Sequence, residues 1–326
     1  MKSLSAEAFA KVNLSFDIVG RRDDGYHDIR SIMQAISLAD DITVETDGAP
    51  GIFGGVKIKL GVDRGEGLPG ADVPADAHNL AWRAAALMGD HFCPLGAKVM
   101  IRLRKRIPAA AGLAGGSADA AVVMLCLARL WETGADLGTL CGIGAKLGAD
   151  IPFCMVSAAK NNPGLGFADD PMASSTALTE GIGEIITPLP SPGGSLLLVM
   201  PETSVPTASI YGLYDEMGGG EEAPAPDTDL LVKLLKERGA SGFSAKSLKM
   251  FAENMVNVFE PITSSRYPAV GDAISSISEA LAPDADRVMM SGSGPAVFAW
   301  SHKGDGAFPM DVPGLRGDRF QAQLLA

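Results

Sequence analysis

Between residues 8 and 19 the chain alternates, with Phe9, Lys11, Asn13 and Ser15 on one parity and Ala10, Val12, Leu14 and Phe16 on the other. A period of two predicts a strand and sends Lys11 and Asn13 to the same face. The polar run Arg21-Arg22-Asp23-Asp24-Gly25 predicts a turn. Further strands are predicted over 41–46, 56–60 and 98–103, and a helix over 79–88. A loop of small residues, 108–117, runs into helical spacing over 118–131. Another helix is predicted over 136–147, with Gly148 as its natural stop. Pro152 biases Ile151 toward extended backbone, which puts Asp150 on a turn.

Residues 158–176 are polar, punctuated by Gly and Pro and not periodic, which predicts a long surface loop or a mobile insert. A second unit follows: a strand over 195–200, helices over 209–217, 229–238, 247–259 and 269–281, and strands 287–290 and 296–300 around the turn Ser291-Gly-Ser-Gly-Pro295. Residues 218–228 read as a flexible connection, and the Gly-rich tail from Ser301 carries one more short strand at most. Strands and helices mix without strict alternation, so the class is α+β rather than a doubly wound sheet.

Composition narrows the function classes. Apolar residues make up 47% of 326, enough for a folded core in one large domain or two moderate ones. With 39 acidic against 27 basic residues the net charge is -12, and no basic stripe is present, which argues against a nucleic-acid surface. An anionic small substrate needs only a local cradle and stays open. Cys93, Cys126, Cys141 and Cys154 show no C-x-x-C spacing and read as small buried hydrophobes. The N-terminal stretch lacks the apolar region of a secretion signal, and no apolar run is long enough to span a membrane, so the expected location is cytoplasmic.

The small-residue loop carries the most chemistry. Gly112, Gly115 and Gly116 leave backbone N–H groups open to an anion, and the helix beginning near Ser117 points its positive dipole end at the same place. A phosphate chain suits that arrangement, and so does a tight loop–helix junction packed with small residues. No Lys-Ser/Thr pair follows the glycines, so this is not a Walker A loop, and it is not the G-x-G-x-x-G of a dinucleotide fold.

The run P-x-A-x-G-L-x-G-G-S, residues 108–117, resembles the ATP loop of the GHMP kinase superfamily. Two companion motifs stand in the order that superfamily shows: Ala8-Phe-Ala-Lys11-Val-Asn13-Leu and Met290-Ser-Gly-Ser-Gly-Pro-Ala296-Val-Phe-Ala. Within it, Gly20-Arg-Arg-Asp-Asp-Gly-Tyr-His27, Leu147-Gly-Ala-Asp150-Ile-Pro152 and Glu180-Gly-Ile-Gly-Glu184 resemble the branch whose acceptor is 4-diphosphocytidyl-2-C-methyl-D-erythritol. The D-G-Y-H element is the most specific, because the wider superfamily does not share it.

The resemblance implies a two-domain fold: a ribosomal-protein-S5-like ATP domain over 1–160 and a ferredoxin-like α/β substrate-side domain over 161–326. It implies an ATP-dependent kinase of the non-mevalonate isoprenoid precursor pathway that phosphorylates the 2-hydroxyl of that acceptor. Asp150 matches the general base and Lys11 the amine beside it. Pro108, Ala109, Ala110, Ala111, Gly112, Leu113, Ala114, Gly115, Gly116, Ser117 and Ala118 match the phosphate cradle, and Asn79 and Leu80 match positions near the adenine or ribose. Asn13, Tyr26, His27, Ile182, Thr207 and Tyr211 match substrate positions, with His27 on the cytosine edge and the two tyrosines on its faces. Mg²⁺ is expected with ATP, Ser117 being its ligand, with no dedicated metal cage.

Some residues depart from the superfamily pattern. Asp119 replaces a more usual amide and is expected to point aside or to help hold the metal ion. Ala109, Ala110, Ala111 and Ala114 replace glycines, and a working loop then requires them in ordinary backbone regions. The segment 158–176 exceeds the usual link, as a lid over the substrate or a plain surface insertion. Two alternatives remain: a homoserine- or mevalonate-type acceptor, and a non-catalytic ligand-binding relative.

Overall fold

Two long strands organise the first part of the chain, β1 (Lys2–Arg21) and β2 (His27–Thr46). They pair antiparallel along nearly their whole length, Lys2 opposite Thr46 and Arg21 opposite His27. Register shifts at Phe9/Lys11 and Asn13/Ser15 bracket the segment Lys11–Asn13, where a bulge re-aims side chains. The structure, a computed structural model, describes residues 1–47, 49–50, 56–65, 68, 72–92, 94–218, 224–238, 242–282, 284–303, 308–309 and 316–326.

The next elements are β3 (Ala49–Pro50), β4 (Lys57–Arg64), α1 (Leu80–Phe92), β5 (Pro94–Leu95), β6 (Lys98–Lys105), α2 (Gly115–Leu130), α3 (Leu137–Gly144), α4 (Ile151–Asn161), β7 (Thr176–Gly181) and β8 (Ile185–Leu189). The first sheet runs β4-β6-β2-β7-β8, with β1 on β2. β3 and β5 pair separately. Helix α2 is apolar on every side and buried, as a central helix must be. With α1, α3 and α4 it packs on the sheet through Val99, Ile101, Met124, Leu127 and Phe153.

The remaining elements are β9 (Ser195–Met200), α5 (Thr207–Glu216), α6 (Thr228–Glu237), α7 (Ala245–Asn254), α8 (Glu260–Arg266), α9 (Pro268–Leu281), β10 (Arg287–Met290), β11 (Val297–Ser301) and β12 (Asp318–Gln323). They form an antiparallel sheet β10-β11-β9-β12 buried on both faces. Leu196, Leu198, Phe298 and Trp300 face α6 and α7, and Leu197, Val199, Val297 and Ala299 face α5, α8 and α9. Alternate residues of one strand thus serve two cores, which is why β9 reads as a continuous apolar run. Among the described residues no helix is long and apolar enough to cross a membrane. Cys126, Cys141 and Cys154 are buried, and burial pushes the Cys126 and Cys141 thiols up to about 12. Cys93 lies outside the described residues.

Several boundaries differ from the sequence reading. The predicted helix 136–147 stops at Gly144, which lies so close to Ile151 of α4 that an added Cβ would stand 2.7 Å from its Cγ2. Gly148, expected as the stop, is outside the left-handed region. Ile151 is helical rather than extended, since Pro152 falls in the first turn, where no N–H is needed. The predicted helix 247–259 breaks after Asn254 because β1 captures the backbone there: Phe16 N donates to Val256 O at 2.9 Å, and Val258 N to Phe16 O at 3.0 Å.

From 162 to 175 the segment 158–176 is a loop, as expected, but it is tied down and lines no part of the cleft, so it is not a lid. Its first residues complete α4, and Leu165 is buried. Asn162 pairs with the backbone of Glu7 through two bonds of 2.9 and 3.0 Å, and the Ser175 hydroxyl donates to Ala326 O at 2.9 Å. These bonds tie the segment to the start of β1 and to the C-terminus. The expected division at 160/161 falls inside α4, and the first sheet continues to Leu189.

Candidate active site

The bulged segment of β1 places Lys11 and Asn13 at the floor of a cleft between the two sheets. Lys11 is 4% exposed, and its Nζ donates to Asn13 Oδ1 at 2.7 Å. The Asn13 amide donates in turn to Ser31 Oγ at 2.8 Å, and Ser31 to Ser15 O at 2.6 Å. A buried ammonium needs such partners. Its other neighbour is Asp150 Oδ2, 3.8 Å away. Asp150 begins α4 without capping that helix, and its side chain is 34% exposed, open to the cleft.

Two glycine-rich segments meet beside this pair. Gly112 lies at φ +77, and a Cβ there would stand 2.5 Å from Ser291 O and 3.0 Å from Gly294 O. Ala296 N donates to Ala111 O at 3.2 Å, and Lys11 N to Leu113 O at 3.1 Å. The loop after Pro108 is therefore built against β1 and against the turn 291–294. Ala110 and Ala114 are left-handed, at φ 55 and 57, contrary to the expectation of ordinary backbone for all four alanines. Such strain costs about 1–2 kcal/mol per residue and persists where neighbours over-determine the loop. Ala114 directly precedes α2, and Gly115, Gly116 and Ser117 present the start of that helix to the cleft.

Beneath the loop lies a buried charge cluster. Lys105 Nζ donates to Asp119 Oδ2 at 2.6 Å and also to Asp40 Oδ2. Asp119 Oδ1 is buried without a partner. Burial pushes the Asp119 carboxyl up to about 8, Lys105 opposing and Asp40 adding to the rise. Asp119 therefore turns toward Lys105 at the cleft wall.

The far end of the cleft is aromatic. His27 Nε2 lies 2.7 Å from Asp215 Oδ1. The Tyr211 ring stands 5.1 Å from the imidazole and 4.8 Å from the Phe259 ring. Burial, and then the charge of Asp150, push the Tyr211 phenol up, so it stays protonated. Tyr26 is 62% exposed on the rim. Thr207 Oγ1 lies 2.9 Å from Ser293 Oγ, joining α5 to the glycine turn.

The cleft, about 1100 Å³, is lined by Lys11, Asn13, Tyr26, His27, Asn79, Leu80, Pro108, Ala109, Ala110, Ala111, Gly112, Ala114, Gly115, Gly116, Ser117, Asp150, Ile182, Thr207 and Tyr211. Its size exceeds the roughly 300–1,000 Å³ of a single small-ligand pocket, leaving room for two ligands. Leu113 and Ala118, expected in the cradle, turn into the cores, where apolar burial outweighs any role at the wall. Asn79 lines the cleft with both polar atoms already used: Oδ1 accepts from Ala81 N at 2.9 Å, and Nδ2 donates to Pro74 O at 2.8 Å. It shapes the wall and caps α1.

Sequence reasoning missed Lys105, Asp40, Phe259 and Asp215. Asp215 was within reach, since it follows Tyr211 by one helical turn and shares its face. Asp40 and Lys105 carried no signal, because only the pairing of β2 with β6 brings them together.

Comparisons with known proteins identify the family. A profile described as "GHMP kinases N terminal domain" matches residues 79–158, and one described as "GHMP kinases C terminal" matches residues 228–308. The 4-diphosphocytidyl-2-C-methyl-D-erythritol kinase of Acetivibrio thermocellus is 38% identical over 299 residues, 91% of this chain and 90% of that protein. A crystal structure of 4-(cytidine 5'-diphospho)-2C-methyl-D-erythritol kinase superposes with a TM-score of 0.70 at 27% identity, covering 98% of this chain and 99% of that one. Homoserine kinase from Cytophaga hutchinsonii reaches a TM-score of 0.65 at 18% identity, covering 99% of this chain and 96% of that one, a likeness of fold.

Proposed function

The chain belongs to the 4-diphosphocytidyl-2-C-methyl-D-erythritol kinases, a family of GHMP kinases, and from that membership we propose how it works: it transfers the γ-phosphoryl group of ATP to the 2-hydroxyl of that acceptor, with Asp150 as general base and Lys11 as the amine beside it. The observation that carries the reading is the Lys11–Asp150 pair, 3.8 Å apart, in a cleft walled by the glycine loop. Asp150 takes the hydroxyl proton as the oxygen attacks the γ-phosphorus, and ADP leaves. Lys11 holds the hydroxyl and offsets charge developing in transfer. The reaction sits in the non-mevalonate isoprenoid precursor pathway.

Residues 108–112 and 114–117 cradle the phosphates, while Asn79 and Leu80 flank the adenosine. Asn13, Ile182 and Thr207 line the acceptor's path, and Tyr26, His27 and Tyr211 receive the cytosine. The ATP-side domain extends to about residue 190, beyond the 160/161 division, since β7 and β8 complete its sheet.

Mg²⁺ fits this donor set as an ion carried mainly by the nucleotide. The Ser117 hydroxyl and the unpartnered Oδ1 of Asp119 are oxygen donors at the cleft wall, and the described residues hold no cluster of three or more metal-ligating side chains. When bound, the ion neutralises phosphate charge.

An acceptor panel tests the reading. With ATP, the diphosphocytidyl alcohol should turn over while homoserine and mevalonate do not, and Asp150→Asn should slow that turnover by orders of magnitude. Phosphorylation of homoserine or mevalonate instead would overturn it. So would calorimetric binding of the diphosphocytidyl alcohol without turnover.

A further inference from the structure

On the reading just given, the aromatic end of the cleft receives a pyrimidine base, and His27 stands there almost closed off from solvent, its side chain 8% exposed. Its Nε2 lies 2.7 Å from Oδ1 of Asp215, and among the described residues the ring has no other hydrogen-bond partner. Asp215 sits on α5 one turn beyond Tyr211, so one helix face presents both the ring against the imidazole and the carboxylate that holds it. Tyr214 closes the other side, edge-on at 6.2 Å. Arg21 Nη1 stands 3.5 Å from Oδ2 of Asp215.

An ionised carboxylate only accepts hydrogen bonds, so the hydrogen of His27 belongs on Nε2. In a neutral imidazole, Nδ1 is then a bare lone pair. A base met by that lone pair must offer a donor. Cytosine offers its exocyclic amine, where uracil carries a carbonyl oxygen. An acceptor facing an acceptor in a buried pocket leaves both unsatisfied, which is how a polar site rejects the wrong partner.

We propose that Asp215 is a positioning residue that fixes the tautomer of His27, so that the base is selected by its exocyclic amine. Without that carboxylate the imidazole is free to carry its hydrogen on Nδ1 and to donate to a carbonyl. Selection between cytidine and uridine forms of the acceptor then weakens, while the phosphoryl-transfer machinery around Lys11 and Asp150 stays in place.

The test compares wild type, Asp215→Leu and Asp215→Glu on the diphosphocytidyl acceptor and its diphosphouridyl counterpart, together with ¹⁵N NMR of the histidine ring nitrogens. In wild type the His27 signals should report one tautomer, protonated on Nε2. Asp215→Leu should lower the cytidyl-to-uridyl ratio of kcat/KM by about tenfold or more. The loss should appear in KM for the cytidyl acceptor, with KM for ATP unchanged, and Asp215→Glu should restore part of the ratio. A ratio that survives Asp215→Leu overturns the inference and leaves the kinase reading standing. Wild-type His27 protonated on Nδ1, or on both nitrogens, overturns it even if the leucine variant fails to fold. Wild type that phosphorylates neither acceptor overturns the kinase reading, and this inference with it.

Discussion

The Nζ of Lys11 stands 3.8 Å from Oδ2 of Asp150, although one residue belongs to the first strand and the other to the start of the fourth helix. The amine is buried and already hydrogen-bonded to Asn13, while the carboxyl faces the open cleft. One group is thus fixed and the other is free to take a proton. Asp150→Asn keeps the shape and removes the base, so kcat should fall about 10²–10⁴-fold with the thermal midpoint unchanged. Lys11→Met should lower kcat by about 10²–10³-fold. It should also lower stability, because Asn13 Oδ1 loses its donor. A coupled assay for ADP release and a melting curve check both. Wild-type kcat in Asp150→Asn would remove the base assignment.

Gly112 separates two roles usually credited together to loop glycines. A Cβ there would stand 2.5 Å from Ser291 O, on a backbone at φ +77. Gly112→Ala should therefore force the loop away from the 291–294 turn. We expect a loss of about 2 kcal/mol or more of stability and a raised KM for ATP. Gly116→Ala meets only Leu80 Cδ1 at 3.5 Å, an ordinary contact, and should be far milder. Equal melting points for the two variants would contradict this account.

Much of this was legible from local pattern. The strand that carries Lys11 and the helix after the glycine loop follow from periodicity, the strands 195–200 and 287–290 from short apolar runs, and the family resemblance singled out Lys11, Asp150, His27 and Tyr211, which share one cleft. What stayed hidden depends on pairing across the chain. The sequence 158–176 lacks a period because its polar residues bond to three different neighbours: the start of β1, α4 and the C-terminus. Ala110 and Ala114 look incompatible with a left-handed loop until the surrounding bonds to Lys11 and Ala296 are seen. The cluster of Asp40, Lys105 and Asp119 joins three elements and has no sequence signature.

Glu260 links pH to the turn that backs the glycine loop. Its Oε2 accepts from Met290 N at 2.8 Å, just before Ser291. Burial pushes its carboxyl above the ordinary 4.5, with the Met290 bond and Arg287 opposing. The folded chain therefore holds this proton more tightly than the unfolded chain. Stability from it is complete below about pH 4.5 and is lost as pH rises through the raised value. Glu260→Gln has no proton to lose and can still accept from Met290. Its melting temperature relative to wild type should rise by about 2 °C or more between pH 4.5 and 7.5. A difference independent of pH would show that Glu260 titrates alike in both states.

The hairpin between β7 and β8 braces the catalytic turn from outside. Gly183 lies at φ +124, and a Cβ on it would stand 2.6 Å from Ala149 O and 3.2 Å from Ala149 C, in the peptide that leads into Asp150. Glu184 holds the hairpin tip closed, its carboxylate accepting from Ile182 N at 2.6 Å. Any side chain at 183 must push the tip outward or shift Ala149, and Asp150 moves with Ala149. A displacement near 1 Å at a reacting group costs about 10²-fold in rate. Gly183→Ala should therefore lower kcat by about 10–100-fold while KM for ATP holds, since the loop 108–117 is untouched. Gly164→Ala is the control: nothing lies within 4 Å of a Cβ there, and no residue of that segment lines the cleft. Its kinetics should match wild type. If Gly183→Ala also matches wild type, Asp150 is positioned by α4 alone and the hairpin only walls the acceptor's path.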